Sequence, residues 1–222
     1  GLRIRAVQQA SDLEAALLVD AVLVPPVQLV AIRLAGLPGR QPPFDRRDRI
    51  GAVFPAIRRQ PPGGKPVRLA SKSIRIPALI QRALEHPDFS GILSYNLREA
   101  LWLCSQGISD DIVVGYPSVD RLALTRLAND ASARRVITLM VDDLAHLDLI
   151  AEVDRGSTDQ EPIRICLDID AGLWLGDNQV GPKRSPLRDK PDITRMAQAA
   201  AKRGLKVVGV MTYEGQVAGV PD

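Results

Sequence analysis

Lys72 closes the apolar run Val67, Leu69 and Ala70, is flanked by Ser71 and Ser73, and has Arg68 and Arg75 close by in sequence. An amine at the end of a buried strand among other cations loses its proton more readily, because like charge and burial both disfavour the ammonium form. A neutral amine in that place can form a Schiff base; the plainer reading is a solvated lysine in a strand-to-helix loop. Asp168 and Asp170 lie two apart on an apolar run, so on a strand their side chains share a face. Two acids there could bind a divalent metal, share a proton or hold a cationic cofactor group. Gly172 follows at once, so one of them equally suits a turn or helix cap. Tyr213 and Glu214 precede Gly215 at the end of the last apolar run, where a phenol could donate to or accept from a heterocycle nitrogen.

The remaining candidates carry less. His86 stands just before Pro87, where a helix should end and a positive charge is favourable. His146 falls on a helix away from the strand ends, Trp102 on another helix, and Trp174 in a loop. Neither tryptophan has the interleaved basic residues of a single-strand nucleic-acid platform.

After Pro66 short apolar runs alternate with helical periodicity, the pattern of βα units. The expected strands are 67–71, 91–95, 112–116, 136–141, 163–169 and 206–213. Between them run the stripes Ile76, Leu79, Ile80, Ala83, Leu84; Leu97, Ala100, Leu101, Cys104; Val119, Leu122, Leu127; Leu144, Leu147, Ala151; and Ile193, Met196, Ala197, Ala200. Each stripe would cover one face of a parallel sheet. Such a sheet can close as a barrel or stay open. The polar residues gather where strands finish, at Lys72, Tyr95, Tyr116, Asp142, Asp168 and Tyr213, and a ring at the C-terminal strand ends is where (β/α)8 barrels place their chemistry. No GxGxxG follows the first strand, which weakens a dinucleotide-binding alternative. The expected fold class is α/β, a partial TIM-type barrel of six βα units over residues 66–222.

Residues 1–65 form a separate region. Ser11 with Glu14 has the capping-box spacing for a helix over residues 8–24, ended by Pro25 and Pro26. Residues 36–65 are rich in Arg, Pro and Gly without periodicity and read as an irregular segment. Arg40, Arg46, Arg47, Arg49, Arg58, Arg59 and Lys65 concentrate the basic charge there, against Asp45 and Asp48. The net charge of +3 on 222 residues argues for neither nucleic acid nor a membrane surface. The run from Ala15 to Leu37 is interrupted by Asp20, Pro25, Pro26 and Arg33, so no stretch approaches the roughly 20 apolar residues of a spanning helix. Cys104 and Cys166 lie far apart inside apolar patterns and read as buried thiols of a cytoplasmic protein.

The segments KPVRLASKSIR, GILSYNLREALWLCSQGISDDIVVGYPSVD, TLMVDDLAHLDLI, RICLDIDAG and VVGVMTYEGQ, in this order, resemble fold-type III pyridoxal-phosphate enzymes. The nearest group is the D-threonine aldolase and D-serine dehydratase-like proteins, including amino acid deaminase/aldolases, whose barrel is of the alanine racemase N-terminal type. The resemblance implies pyridoxal 5'-phosphate as cofactor, an amino acid as the small-molecule substrate, and a homodimer. It implies Lys72 as the Schiff-base residue, with Arg68 at the family's spacing four positions before it. It implies Tyr213, in the Tyr-x-Gly motif, as partner of the pyridine ring, and Asp170 in the acidic Asp-x-Gly turn as a cofactor contact. Gln216 stands where relatives often have histidine, and Leu173 and Trp174 stand where an arginine often follows the acidic turn.

Chemistry of that class proceeds because the cofactor is an electron sink for an α carbanion, which aldol cleavage, β-elimination and racemisation share. A closed barrel needs eight strands, and six are legible, so a fragment or degenerate product with weak or no activity is expected. A frameshifted origin for the sequence before Gly64 is one account of the change in texture there. Relatives place a divalent metal in a C-terminal β domain, so no metal is expected on this barrel. Two other classes stay open: a metal-dependent lyase or hydrolase using Asp168, Asp170 and Glu214, and a non-catalytic cofactor carrier or basic interaction protein.

Overall fold

Among the residues described by the computed structural model, 66–157, 161–175, 178–181 and 183–213, six parallel strands form a curved sheet with helices on its outer face. The expected helix over 8–24, the irregular segment 36–65, Glu214 and Gln216 lie outside these residues. The order is sequential: β1 (Val67–Ala70), β2 (Phe89–Ser94), β3 (Ile112–Val114), β4 (Ile137–Val141), β5 (Arg164–Ile169), then β8 (Lys206–Thr212). Between β5 and β8 a small antiparallel hairpin is made by β6 (Leu173–Leu175) and β7 (Asn178–Val180). This is half of a TIM-type barrel, as the alternation of strand and helix patterns implies.

Strand alternation divides the core into two parts. Val67, Leu69, Ile92, Ile112, Val114, Ile137, Leu139, Val141, Ile165 and Leu167 face the helices in one large apolar cluster. On the inner face a second cluster takes one residue from each parallel strand: Ala70, Leu93, Val113, Met140, Cys166 and Met211. β1 to β5 are therefore largely buried on both faces, which is why they read as nearly continuous Val, Ile and Leu, whereas in β8 only Met211 is buried.

The helices are α1 (Pro77–Leu84), α2 (Leu97–Ser105), α3 (Arg121–Ala128), α4 (Ala131–Val136), α5 (Leu144–Asp154) and α6 (Lys190–Lys202). Five begin with an Asx cap: Asn96 accepts from Glu99 N, Asp120 from Ala123 N, Asp130 from Ala133 N, Asp143 from Ala145 N and Asp189 from Asp192 N. The side-chain oxygen satisfies an amide that the helix leaves without a partner. In α1 the first position is Pro77, which has no amide to satisfy.

Three expected stripes are corrected. Val119 and Leu122 are exposed: Val119 precedes the Asp120 cap, and α3 packs through Ala123, Leu124, Leu127 and Ala128, a face that leaves Leu122 outside. Ile76 and Leu144 are exposed because each lies at the solvent edge of its helix start. The Asp130 cap opens the short helix α4, so Val136 ends a helix and the strand begins at Ile137.

Two arginines are buried inside this frame. Arg134, 1% exposed, donates to the Ala128 carbonyl at 2.8 Å, Asp154 Oδ1 at 2.5 Å and the Glu161 carbonyl at 2.5 Å. It thereby joins the end of α3, the end of α5 and the entry to β5. Arg68 pairs with Asp111 beneath the inner layer, crossing β2 at Gly91. Gly91 has φ +76°, and a Cβ there would meet Arg68 Nη1 and lie 2.7 Å from the Asp111 carbonyl. Only glycine permits both the backbone conformation and the passage of the guanidinium.

Arg134→Ala is expected to lower unfolding free energy by about 3–5 kcal/mol, the usual effect of stranding one partner of a buried pair. Gly91→Ala is expected to cost about 1–3 kcal/mol from backbone conformation alone, with the displacement of Arg68 added. Urea midpoints at constant m-value measure both.

Candidate functional site

Counting two residues onward from each member of the inner layer gives Lys72, Tyr95, Gly115, Asp142, Asp168 and Tyr213. Asp168 lies on its strand and the others stand one or two residues past their strand ends, so these positions gather above the layer at the C-terminal mouth. Lys72 is exposed, and among the described residues its amine has no hydrogen bond or ion pair. The neighbouring backbone is fixed instead. Buried Ser71 donates through its amide to the Leu93 carbonyl at 2.9 Å and through Oγ to Glu99 Oε2 at 2.8 Å, and Ser73 N closes a turn on the Ala70 carbonyl at 3.1 Å.

The ring position on β3 carries no side chain, and Arg184, from the segment between β7 and α6, lies over it. Its Nη2 donates to the Gly115 carbonyl at 3.3 Å and to Asp168 Oδ2 at 3.4 Å, and lies 3.9 Å from Met140 Sδ. The guanidinium carbon stands 5.3 Å from the Tyr116 ring centroid and 5.7 Å from that of Tyr213. Tyr95 meets Tyr116 edge to face at 5.9 Å, and Arg75 lies 5.4 Å from the Tyr95 centroid. Arginines and half-exposed tyrosines thus alternate along one rim, in the geometry of cation–π contacts.

Asp168 is 2% exposed, its Oδ2 faces Arg184, and its Oδ1 is buried without a hydrogen-bond partner. Burial pushes its carboxyl up to about 6 against the opposing pull of Arg184, and Asp142 adds to the rise. Asp142 is itself raised, chiefly by burial, while His146, with Nδ1 3.1 Å from Asp142 Oδ1, works the other way. The Cys166 thiol, in the layer below, is pushed up to about 12, first by burial and then by Asp168.

The expected site residues therefore separate. Lys72 and Tyr213 stand at the mouth. Arg68 does not: its guanidinium is committed to Asp111 and the Ile92 carbonyl at the other end of the sheet. β1 ends at Ala70 and Lys72 lies in the turn beyond it, while the Arg68 side chain runs the other way to Asp111. Asp170 is likewise committed, accepting from Gly172 N at 2.8 Å on Oδ1 and from Gln179 Nε2 on Oδ2. It serves as the turn cap, because β5 ends at Ile169 and the chain turns there. A metal site shared by Asp168 and Asp170 is not formed, and no cluster of three or more His, Cys, Asp or Glu suited to a metal occurs among the described residues.

His146 proves to be tied to a strand end through Asp142, contrary to the expectation, and the i,i+4 spacing could have revealed it. Cys104 is half-buried, whereas Cys166 is buried as expected. Arg184 had no local signal, lying in a polar, Pro-containing segment where a cation ordinarily means a solvated loop. No described helix is long and apolar enough to cross a membrane.

Residues 65–221 match the family described as alanine racemase, N-terminal domain. No curated protein sequence matches the chain. The fold is similar to D-threonine aldolase from Filomicrobium marinum, with 21% identity and TM-score 0.50 over 66% of this chain and 36% of that one. It is similar to D-threo-3-hydroxyaspartate dehydratase from Delftia sp. HT23, with 21% identity and TM-score 0.52 over 75% and 40%. It is also similar to alanine racemase of Clostridium difficile 630 in complex with cycloserine, with 13% identity and TM-score 0.53 over 74% and 42%. The chain thus spans about two fifths of the length of these proteins.

The Asp168 carboxyl gives a stability prediction of definite sign. Its folded value lies above the ordinary 3.8, so the folded state binds the proton more tightly and this group favours folding less as pH rises through that interval. Asp168→Asn removes the titration. Its stability relative to the unaltered chain is expected to improve between pH 4 and about 6 and to stay level above, as urea midpoints across that range would show.

Proposed function

Because the chain belongs to the alanine racemase N-terminal domain family, we propose that its half-barrel holds pyridoxal 5'-phosphate at the strand mouth through Lys72 and acts on an amino acid. The observation that carries this reading is the state of Lys72: an exposed amine without a partner, on a backbone pinned by Ser71 at the C-terminal end of β1. The donor set around it fits the group. Arg184 uses only Nη2 in its hydrogen bonds, and no described residue accepts from Nε or Nη1. These free N–H groups suit the oxygens of a phosphate or carboxylate. The half-exposed Tyr213 phenol is at hand for a ring nitrogen or a hydroxyl.

When bound, the cofactor supplies an electron sink for charge developing at the substrate α carbon. Lys72 would hold the aldehyde carbon and, once displaced by the substrate amine, take or return a proton at Nζ. Arg184 would orient an anionic group, and the tyrosine rim would exclude water from one side of the mouth. Arg68 would act at a distance, by holding the lower end of β1 against β2 and β3. Structural neighbours are named for an aldolase, a dehydratase and a racemase of amino acids, and the branch this chain follows, with its substrate, belongs to the same proposal. The homodimer that relatives suggest is part of the reading too.

Borohydride reduction of the chain mixed with pyridoxal 5'-phosphate, followed by peptide mapping, tests it. Label is expected on Lys72 alone, and Lys72→Ala is expected to lose at least nine tenths of it. Label spread over surface lysines, unchanged in Lys72→Ala, would overturn the assignment.

A further inference from the structure

Asp168 has no place in the account above, although it is the most deeply buried acid of the ring and leaves one oxygen without a partner. Its other oxygen meets the same Arg184 nitrogen that reaches the Gly115 carbonyl. Tyr116 and Tyr213 flank the guanidinium from two other strands. One nitrogen is thereby turned inward, and the N–H groups of Nη1 and Nε are left without an acceptor among the described residues. We propose that Asp168 is a positioning residue that orients Arg184 to grip an anionic oxygen group at the mouth, and that protonation of Asp168 releases this grip. The proposal rests on the cofactor reading of the same site.

The charge balance around Asp168 allows such a switch. From β4 it faces Asp142, which is paired with His146 of α5; from the turn after β5 it faces Asp170; from the segment before α6 it faces Arg184. On its own strand the Cys166 thiol lies below it, and β8 contributes Met211 and the Tyr213 phenol above. Arg184 is thus the one cation opposing two acids and burial. Burial holds the carboxyl at about 6, where a modest change of pH alters its charge. Once neutral, Asp168 keeps no ionic hold on Arg184, and Oδ1, which has no donor, is free to carry the proton. The guanidinium then keeps only uncharged contacts, with Asp168 Oδ2, the Gly115 carbonyl, Met140 Sδ and the two rings, and its free N–H groups lose their fixed direction.

The experiment measures affinity of the full chain for pyridoxal 5'-phosphate, and for pyridoxal, which lacks the phosphate, at pH 8 and pH 5. Asp168→Asn, Asp168→Glu, Arg184→Gln and the Asn/Gln double variant are compared. Affinity of the unaltered chain is expected to exceed that of Asp168→Asn by about tenfold at pH 8, the worth of one charge-assisted contact, and to match it within twofold at pH 5. Asp168→Glu is expected to restore part of the pH 8 advantage. In the Arg184→Gln background the Asn substitution is expected to change nothing. Dependence confined to the phosphate ester assigns the phosphate as the gripped group; dependence shared with pyridoxal assigns oxygens elsewhere on the molecule. Equal effects of Asp168→Asn at both pH values, or an undiminished effect without Arg184, would overturn the proposal.

A ligand-free arm separates this from the cofactor reading. The Asp168 carboxyl, followed by carbon NMR of the full chain, is expected to titrate higher in Arg184→Gln. An unshifted titration overturns the Asp168–Arg184 link even if pyridoxal 5'-phosphate binds. A shifted titration with no cofactor binding at Lys72 would instead remove the cofactor reading and leave the pair.

Discussion

Six parallel strands packed between a helix layer and one inner layer impose one constraint from which the rest follows: side chains alternate between the helices and the barrel interior. Each strand gives one apolar residue to the inner layer, from Ala70 to Met211. Once those six residues share a level, the positions two further along must share the next, and that level is the mouth. The chemistry-bearing ring is a geometric consequence of packing the layer beneath it. A one-residue slip in any strand would turn its ring residue toward the helices.

Polar groups seal the inner layer at both ends. Below it, Arg68 reaches Asp111 across two strands, a path that exists because Gly91 lacks a side chain. Above it, Asp168 faces Arg184 over the strand position where Gly115 lacks one. At the lower end a glycine admits the guanidinium; at the upper end Arg184 comes from outside the sheet and rests on the Gly115 carbonyl. Their energetics differ. Arg68 and Asp111 meet closely, whereas the Asp168 contact is longer and leaves one carboxylate oxygen unsatisfied, and burial raises the carboxyl toward neutrality against the pull of Arg184. Burial of an acid is tolerated only where its charge is compensated, and here compensation is partial. The lower pair therefore supports the fold, and the upper one is suited to respond to what approaches the mouth.

The two carboxylates of β5 and its turn show how a shared pattern can divide into separate roles. Asp168 lies on the strand and faces inward, while Asp170 lies one residue beyond the strand end and caps a turn with Gly172. Spacing of two implies a common face only while the backbone stays extended. The same reasoning separates Arg68 from Lys72. Arg68 lies on β1 and reaches Asp111 below the layer, whereas Lys72 lies in the turn two residues past the strand end, at the mouth.

Several features were readable before any coordinates. The six parallel strands, the helix after most of them, and Lys72 at the end of the first follow from apolar runs, helical stripes and short polar stops, because burial on both faces leaves so strong a composition signal. Family membership was legible in the ordered segments from Lys65 onward. Helix rotation was not: Val119 and Leu122 fit an apolar stripe, but Val119 precedes the Asp120 cap and the packed face of α3 leaves Leu122 outside. Nor was Arg184, which comes from the segment after the β6–β7 hairpin and meets residues as far away as Gly115. Local patterns determine which segments become strands and helices, since period and burial act over a few residues. Which side chains from different segments meet, and how burial then tunes an acid such as Asp168, is decided only when the strands come together at one level.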